Sequence, residues 1–99
     1  LPTGPSLSSA DLPPERKKLL FRAWHRGMRE MDLLMGQFAE ARLAAMSEAE
    51  LGEFNALLEA PDPDVLSWLT GQSPVPAAHD TATFRALKAF HTHSKPLFS

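Results

Sequence analysis

Leu19-Leu20-Phe21-Arg22-Ala23-Trp24-His25-Arg26-Gly27-Met28-Arg29-Glu30-Met31-Asp32-Leu33-Leu34-Met35 is the stretch whose reading decides the fold. It holds two runs of helical apolar spacing on either side of one glycine. Leu19, Leu20, Ala23 and Trp24 share one face of a first helix, which takes Pro13 or Pro14 in its opening turn and runs to about His25. Met31, Leu34, Met35 and Phe38 recur at i, i+3, i+4 and i+7, the buried stripe of a second helix from about Met28 to Met46. Gly27 stands between them and ends the first, because glycine tolerates the left-handed conformation common just beyond a helix. Gly36 interrupts the second stripe; an interior glycine costs ~1 kcal/mol relative to alanine, so it marks a bend or a close helix contact.

Working outward, Ser47 followed by Glu50 is a capping-box signature that opens a third helix through about Glu59, with Leu51, Phe54, Leu57 and Leu58 inward. Ala60-Pro61-Asp62-Pro63-Asp64 breaks it and starts a short fourth helix, Asp62 as N-cap and Pro63 in the first helical position. That helix carries Val65, Leu66, Trp68 and Leu69 and stops at Thr70-Gly71. Pro74 and Pro76 make residues 72 to 80 a loop, after which Thr81 caps a fifth helix presenting Phe84, Leu87 and Phe90. No segment alternates as a strand does, and valine and isoleucine are almost absent. The expected class is all-α, a compact bundle of about five short helices packed as antiparallel neighbours. A single domain over residues 13–92 is expected, with a disordered Pro- and Ser-rich lead-in at 1–12 and a flexible tail at 93–99.

With 99 residues, 43% of them hydrophobic, the core will be thin and leaves little room for a deep cavity, which favours a binding module over a self-contained enzyme. The net charge of -2 argues against generic binding to nucleic acid or to anionic membranes. The charge is uneven: Arg16, Lys17, Lys18, Arg22, Arg26 and Arg29 are six of the ten basic residues, while Glu48, Glu50, Glu53, Glu59, Asp62 and Asp64 make the middle acidic. The absence of cysteine excludes disulfides, thiolate metal sites and a cysteine nucleophile. No apolar run approaches the ~20 residues of a membrane span.

The pentad Arg26-Gly27-Met28-Arg29-Glu30 is where chemistry rather than packing dictates the residues. Two plain readings stay open on spacing alone. One is a surface ion pair between Arg26 and Glu30 on a continuous helix, worth ~0.3 to 0.5 kcal/mol. The other is a break at Gly27 that puts Glu30 in a helical first turn, where the macrodipole favours a carboxylate. Arg22, Arg26 and Arg29, near Trp24 and apolar neighbours, have the character of a protein interface. Arg16, Lys17, Lys18 and Arg22 can contact phosphates, or can simply be a solvated helix face. His91 and His93, with His79 upstream, are poorly spaced for a metal site, because residues two apart on a helix point to different faces. No strand-turn-helix context supports Ser-His-Asp catalysis, and no glycine-rich loop cradles a phosphate. Among the methionines, 31 and 35 belong to the core stripe, while Met28 lies inside the pentad and is expected to stay exposed.

Lys18 to Leu34, then Phe38-Ala39, Met46-Ser47 with Glu50-Leu51 and Phe54, and Asp62-Pro63-Asp64 with Trp68 form an ordered series. In this series the chain resembles the SdhE-type FAD assembly factors, also called succinate dehydrogenase assembly factor 2. The likeness spans roughly residues 16 to 71. The family's Arg-Gly-x-x-Glu signature falls on Arg26, Gly27 and Glu30, and Asp32 matches the acidic position that follows; Met28 and Arg29 occupy its variable positions. The resemblance implies a non-enzymatic assembly factor that binds the flavoprotein subunit of succinate dehydrogenase, and in some bacteria that of fumarate reductase. It promotes covalent attachment of FAD to a client histidine, a step the client catalyses on itself. The expected partner-binding set is Arg26, Gly27, Glu30 and Asp32 from the resemblance, together with their neighbours Arg22, His25, Met28 and Arg29. No catalytic residue, metal or tightly bound cofactor is implied, the FAD being held by the client. Nucleic-acid binding and membrane insertion are not expected, and the free protein is expected to be monomeric. The lead-in has no Arg-rich transit pattern, so the expected compartment is the bacterial cytoplasm, or the mitochondrial matrix for a eukaryotic chain. The competing reading is a generic protein- or nucleic-acid-interaction module working through the basic first helix. A third is a carrier that binds FAD itself, against which the missing glycine-rich loop argues.

Overall fold

The computed structural model describes residues 12–93, with side chains to residue 91. The lead-in and tail expected at the two ends lie outside the described residues, apart from Leu12, which is buried, and the backbone of His93. Among the described residues there are five α-helices and no strand, so the class is all-α. The chain divides into two compact units that meet in sequence between Met46 and Ser47.

In the first unit, α1 (Pro14–Trp24) and α2 (Arg29–Arg42) are followed by a 3₁₀ turn at Leu43–Ala45. Pro14 opens α1, as its fixed φ and missing N–H allow. The two expected stripes are the buried ones: Leu19, Leu20 and Ala23 from α1, and Met31, Leu34, Met35 and Phe38 from α2, joined by Ala39, Leu43 and Met46. Trp24 departs from its expected burial. It is half-buried, with its ring against Gly36 and its Nε1–H donating to Glu40 Oε2 at 2.9 Å. A Cβ at position 36 would overlap the indole, so this glycine marks a close contact and α2 runs through it unbroken.

Helix α2 was expected to reach Met46 but stops at Arg42. Arg16 meets the carbonyls of the 3₁₀ turn that follows. Its guanidinium Nη1 reaches from α1 to the carbonyls of Leu43 at 2.6 Å, Met46 at 2.9 Å and Ala44 at 3.4 Å. These acceptors would otherwise be left over at a helix end, and a cationic donor satisfies them where the backbone tightens and then extends.

In the second unit, α3 (Glu48–Glu59) opens on the expected capping box. The Glu50 N–H donates to Ser47 Oγ at 3.1 Å, and the Ser47 N–H donates to Glu50 Oε1 at 2.8 Å. The helix α4 (Asp62–Thr70) begins one residue earlier than expected. Pro61 is its N-cap, with its carbonyl accepting from Asp64 at 3.0 Å and Val65 at 3.1 Å, so Asp62 sits inside the first turn rather than capping it. Val65 and Trp68 are buried; Leu66 and Leu69 are half-buried. Gly71, at φ +85°, ends the helix. The loop that follows contains a 3₁₀ turn at Ala77–His79, whose His79 ring stacks on Trp68 with centroids 5.2 Å apart. Thr81 caps α5 (Ala82–His93) by accepting from the Phe84 N–H at 3.1 Å. Glu53 of α3 binds α5 through the buried Thr83, accepting from its hydroxyl at 2.7 Å and its N–H at 3.3 Å.

Replacing Gly36 with alanine should cost about 1–3 kcal/mol, the usual effect of overpacking, seen as a lower urea midpoint with unchanged slope and altered Trp24 fluorescence. Arg16→Met keeps most of the apolar stem but removes the donors. A loss of about 1–3 kcal/mol is expected, measured by the same denaturation curve.

Candidate partner-binding junction

The junction between α1 and α2 is built by backbone conformation. His25 leaves the helix at φ -128°, ψ 63°, its N–H still donating to the Arg22 carbonyl at 3.3 Å. Gly27 then turns the chain at φ +96°, and Met28 enters α2 extended, at φ -120°, ψ 130°. A Cβ on Gly27 would meet nothing within 4 Å, so the requirement for glycine is conformational and the space above it is open. The turn is latched by Asp32: its carboxylate accepts the Arg26 N–H, while its own N–H donates to the Met28 carbonyl at 2.8 Å.

Of the two open readings of the pentad, the break is the one observed. Arg26 precedes the turn and Glu30 lies in the first turn of α2, together with Asp32. The macrodipole favours a carboxylate there by ~0.3–1 kcal/mol. His25, Gly27, Arg29 and Glu30 are exposed, whereas Arg22, Arg26, Met28 and Asp32 are half-buried. Met28 is therefore less open than the sequence led us to expect. The eight residues thus sit on one short segment, but their roles differ: Asp32 has its carboxylate engaged within the chain, while Arg29 and Glu30 project outward.

Two features escaped the sequence reading. Arg16, counted among the phosphate-competent charges, is engaged with backbone carbonyls. Phe21 is 63% exposed, and its ring stacks on His25 at 4.0 Å and 20°. His25 Nδ1 lies 2.7 Å from the Phe21 carbonyl oxygen. A carbonyl can only accept, so Nδ1 is the donor in this contact. The signal for Phe21 was present, an apolar residue four before His25 on the basic side of the helix.

Among the described residues no three His, Asp or Glu side chains gather to hold a metal. His79 stacks on Trp68 and His91 makes an edge contact with Phe90 at 5.0 Å, while the side chain of His93 lies outside those described. No helix among the described residues is long and apolar enough to cross a membrane.

Residues 17–91 match the model of a family described as flavinator of succinate dehydrogenase. The chain belongs to that family. The match contains the whole junction and continues through most of α5, beyond the 16–71 span of the motif resemblance. Among similar proteins, the mitochondrial succinate dehydrogenase assembly factor 2 of Dictyostelium discoideum is 38% identical over 82 residues, covering 83% of this chain and 57% of that protein. The FAD assembly factor SdhE of Acetobacter pasteurianus is 40% identical over 77 residues, covering 78% of this chain and 71% of that protein. The mitochondrial assembly factor 2 of Danio rerio is 35% identical over 78 residues, 77% of this chain and 49% of the relative. The chain thus spans about half to seven-tenths of these relatives' length. No solved structure matches it significantly.

Gly27→Ala should strain only the turn, since the space is open. The expected cost is about 1 kcal/mol, with the helical circular-dichroism spectrum unchanged; loss of the helical signal would assign Gly27 to the core of the fold instead.

Proposed function

We propose that this chain binds the flavoprotein subunit of succinate dehydrogenase and promotes covalent attachment of FAD to a client histidine. The observation that carries this is the Arg-Gly-x-x-Glu pentad, present in a chain of the flavinator family and held outward by the Gly27 turn and the Asp32 latch. In this reading the FAD and the histidine to which it becomes attached both belong to the client. This chain supplies no nucleophile. Its contribution is orientation: docking holds client segments so that histidine and flavin meet in reactive geometry, a proximity effect.

The residues divide accordingly. Gly27 permits close backbone approach, having no Cβ in an open space. Glu30, Arg26 and Arg29 pair with polar groups of the client, Arg22 and His25 extend the contact along α1, and Met28 adds an adaptable apolar one. Asp32 is a positioning residue, fixing Arg26 through its amide. Fumarate reductase's flavoprotein subunit is a second client in this reading, and the free factor is a monomer. The compartment follows the client: bacterial cytoplasm, or mitochondrial matrix where the flavoprotein folds there.

The test is co-expression with the flavoprotein subunit of succinate dehydrogenase, followed by co-purification and in-gel fluorescence of covalent flavin; the fumarate reductase subunit is assayed in parallel. Glu30→Ala should keep the fold and weaken binding by roughly tenfold or more, the loss of one hydrogen bond to a charged group, with less covalent flavin. Intact binding and undiminished flavinylation in that variant would refute the role given to Glu30.

A further inference from the structure

On a helix advancing about 100° per residue, positions 17, 18, 21, 22 and 25 fall within an arc of roughly 140°. Arg16, Leu19, Leu20, Ala23 and Trp24 occupy the other side, and there they meet carbonyls, the core and Gly36. The outer arc has a pattern that a merely solvated face does not need. Its centre is the Phe21–His25 stack, and Lys17, Lys18 and Arg22 lie to either side of it.

Phe21 is the exposed large hydrophobic residue among those described. Its ring is not loose. The His25 imidazole covers one face, and that imidazole is itself held by its bond to the Phe21 carbonyl. Both rings are therefore fixed before any partner arrives, which lowers the ordering cost of binding. An aromatic centre within a charged rim is the arrangement of an interface hot spot.

We infer that the Phe21–His25 stack with its Lys17, Lys18 and Arg22 rim is a second anchor for the client, seating Phe21 in an apolar pocket edged by carboxylates on the flavoprotein subunit. The inference rests on the client reading above and extends it one helix face away from the pentad. Two things select that occupant. The face is continuous with the junction, since His25 is covalently next to Arg26. The rim is cationic in a chain whose net charge is -2, so an acidic edge is its complement. A single strand of nucleic acid could also stack and pair with cations, but the inward commitment of Arg16 and the exposed Glu15 and Glu30 weaken that fit.

The experiment measures affinity of the full chain for the apo flavoprotein subunit by biolayer interferometry at two salt concentrations. Phe21→Ala should weaken binding roughly 10- to 100-fold at both, with Phe21→Tyr restoring it. Lys17→Glu with Lys18→Glu should weaken binding chiefly at low salt, because exposed charges are screened. Circular dichroism should be unchanged throughout, Phe21 being exposed. Wild-type-like binding by Phe21→Ala, within twofold, while Glu30→Ala is impaired, overturns this anchor and leaves the pentad reading standing. Failure of the wild-type chain to bind the subunit at all overturns both. Binding of an oligothymidine by the wild type that Phe21→Ala abolishes, with subunit binding intact, assigns the face to nucleic acid and overturns the inference.

Discussion

The contact on which the junction depends is the Trp24 indole laid against Gly36. Trp24 is the last residue of α1, so the place where its ring docks on α2 sets where the first helix ends and how far the chain must travel to begin the second. The Nε1–H bond to Glu40 tethers the ring to α2 a second time. With both helices held at this approach, four residues must reverse the chain, and a left-handed φ at Gly27 does so without steric cost. The pentad's presentation is thus tied to a packing contact about two turns along α2.

Charged side chains in this molecule do much of the work of ending helices. Arg16 satisfies carbonyls where α2 gives way to a 3₁₀ turn, Asp32 takes the amide of Arg26, and Glu53 binds both the hydroxyl and the amide of Thr83. Each removes an unsatisfied backbone group or a buried hydroxyl, which matters in a thin core where one orphaned polar group costs ~1–3 kcal/mol. It also removes these charges from the surface. A count of basic residues over α1 therefore overstates the field the helix offers to phosphate, and the solvated cations that remain surround an aromatic pair.

This division explains what was legible beforehand. The stripes at Leu19 to Ala23 and Met31 to Phe38, the Ser47–Glu50 box, the Thr81 cap and the Gly71 stop are signals contained within one or two turns, and periodicity or spacing exposes them. The 3₁₀ turn after Arg42 was not legible, because the group that satisfies its carbonyls is a side chain more than twenty residues earlier in the chain. The same holds for Gly36, where sequence offered a bend or a contact and only Trp24's position selects one. Asp62 looked like a cap because its residue type is a good one, yet Pro61, at φ -61°, ψ 135°, holds the N-cap position one residue earlier. At the site, the left-handed Gly27 that ends α1 was legible from glycine's tolerance of that conformation, and its positive φ is what separates Arg26 from Glu30; the Asp32 carboxylate on the Arg26 amide was not legible, since no spacing rule points to it.

A protein that acts by orienting another needs a surface whose geometry does not change when it binds, since any reorganisation subtracts from the alignment it provides. The junction meets this in three independent ways. Gly27 is in a conformation that glycine holds without strain, Asp32 closes the turn from the far side, and His25 is pinned to Phe21 by both its ring and its Nδ1. His25 belongs at once to the aromatic stack and to the start of the turn. A displacement of the pentad therefore has to disturb the stack or break the Asp32 latch, and this coupling makes α1's outer face and the Arg-Gly-x-x-Glu segment a single rigid surface.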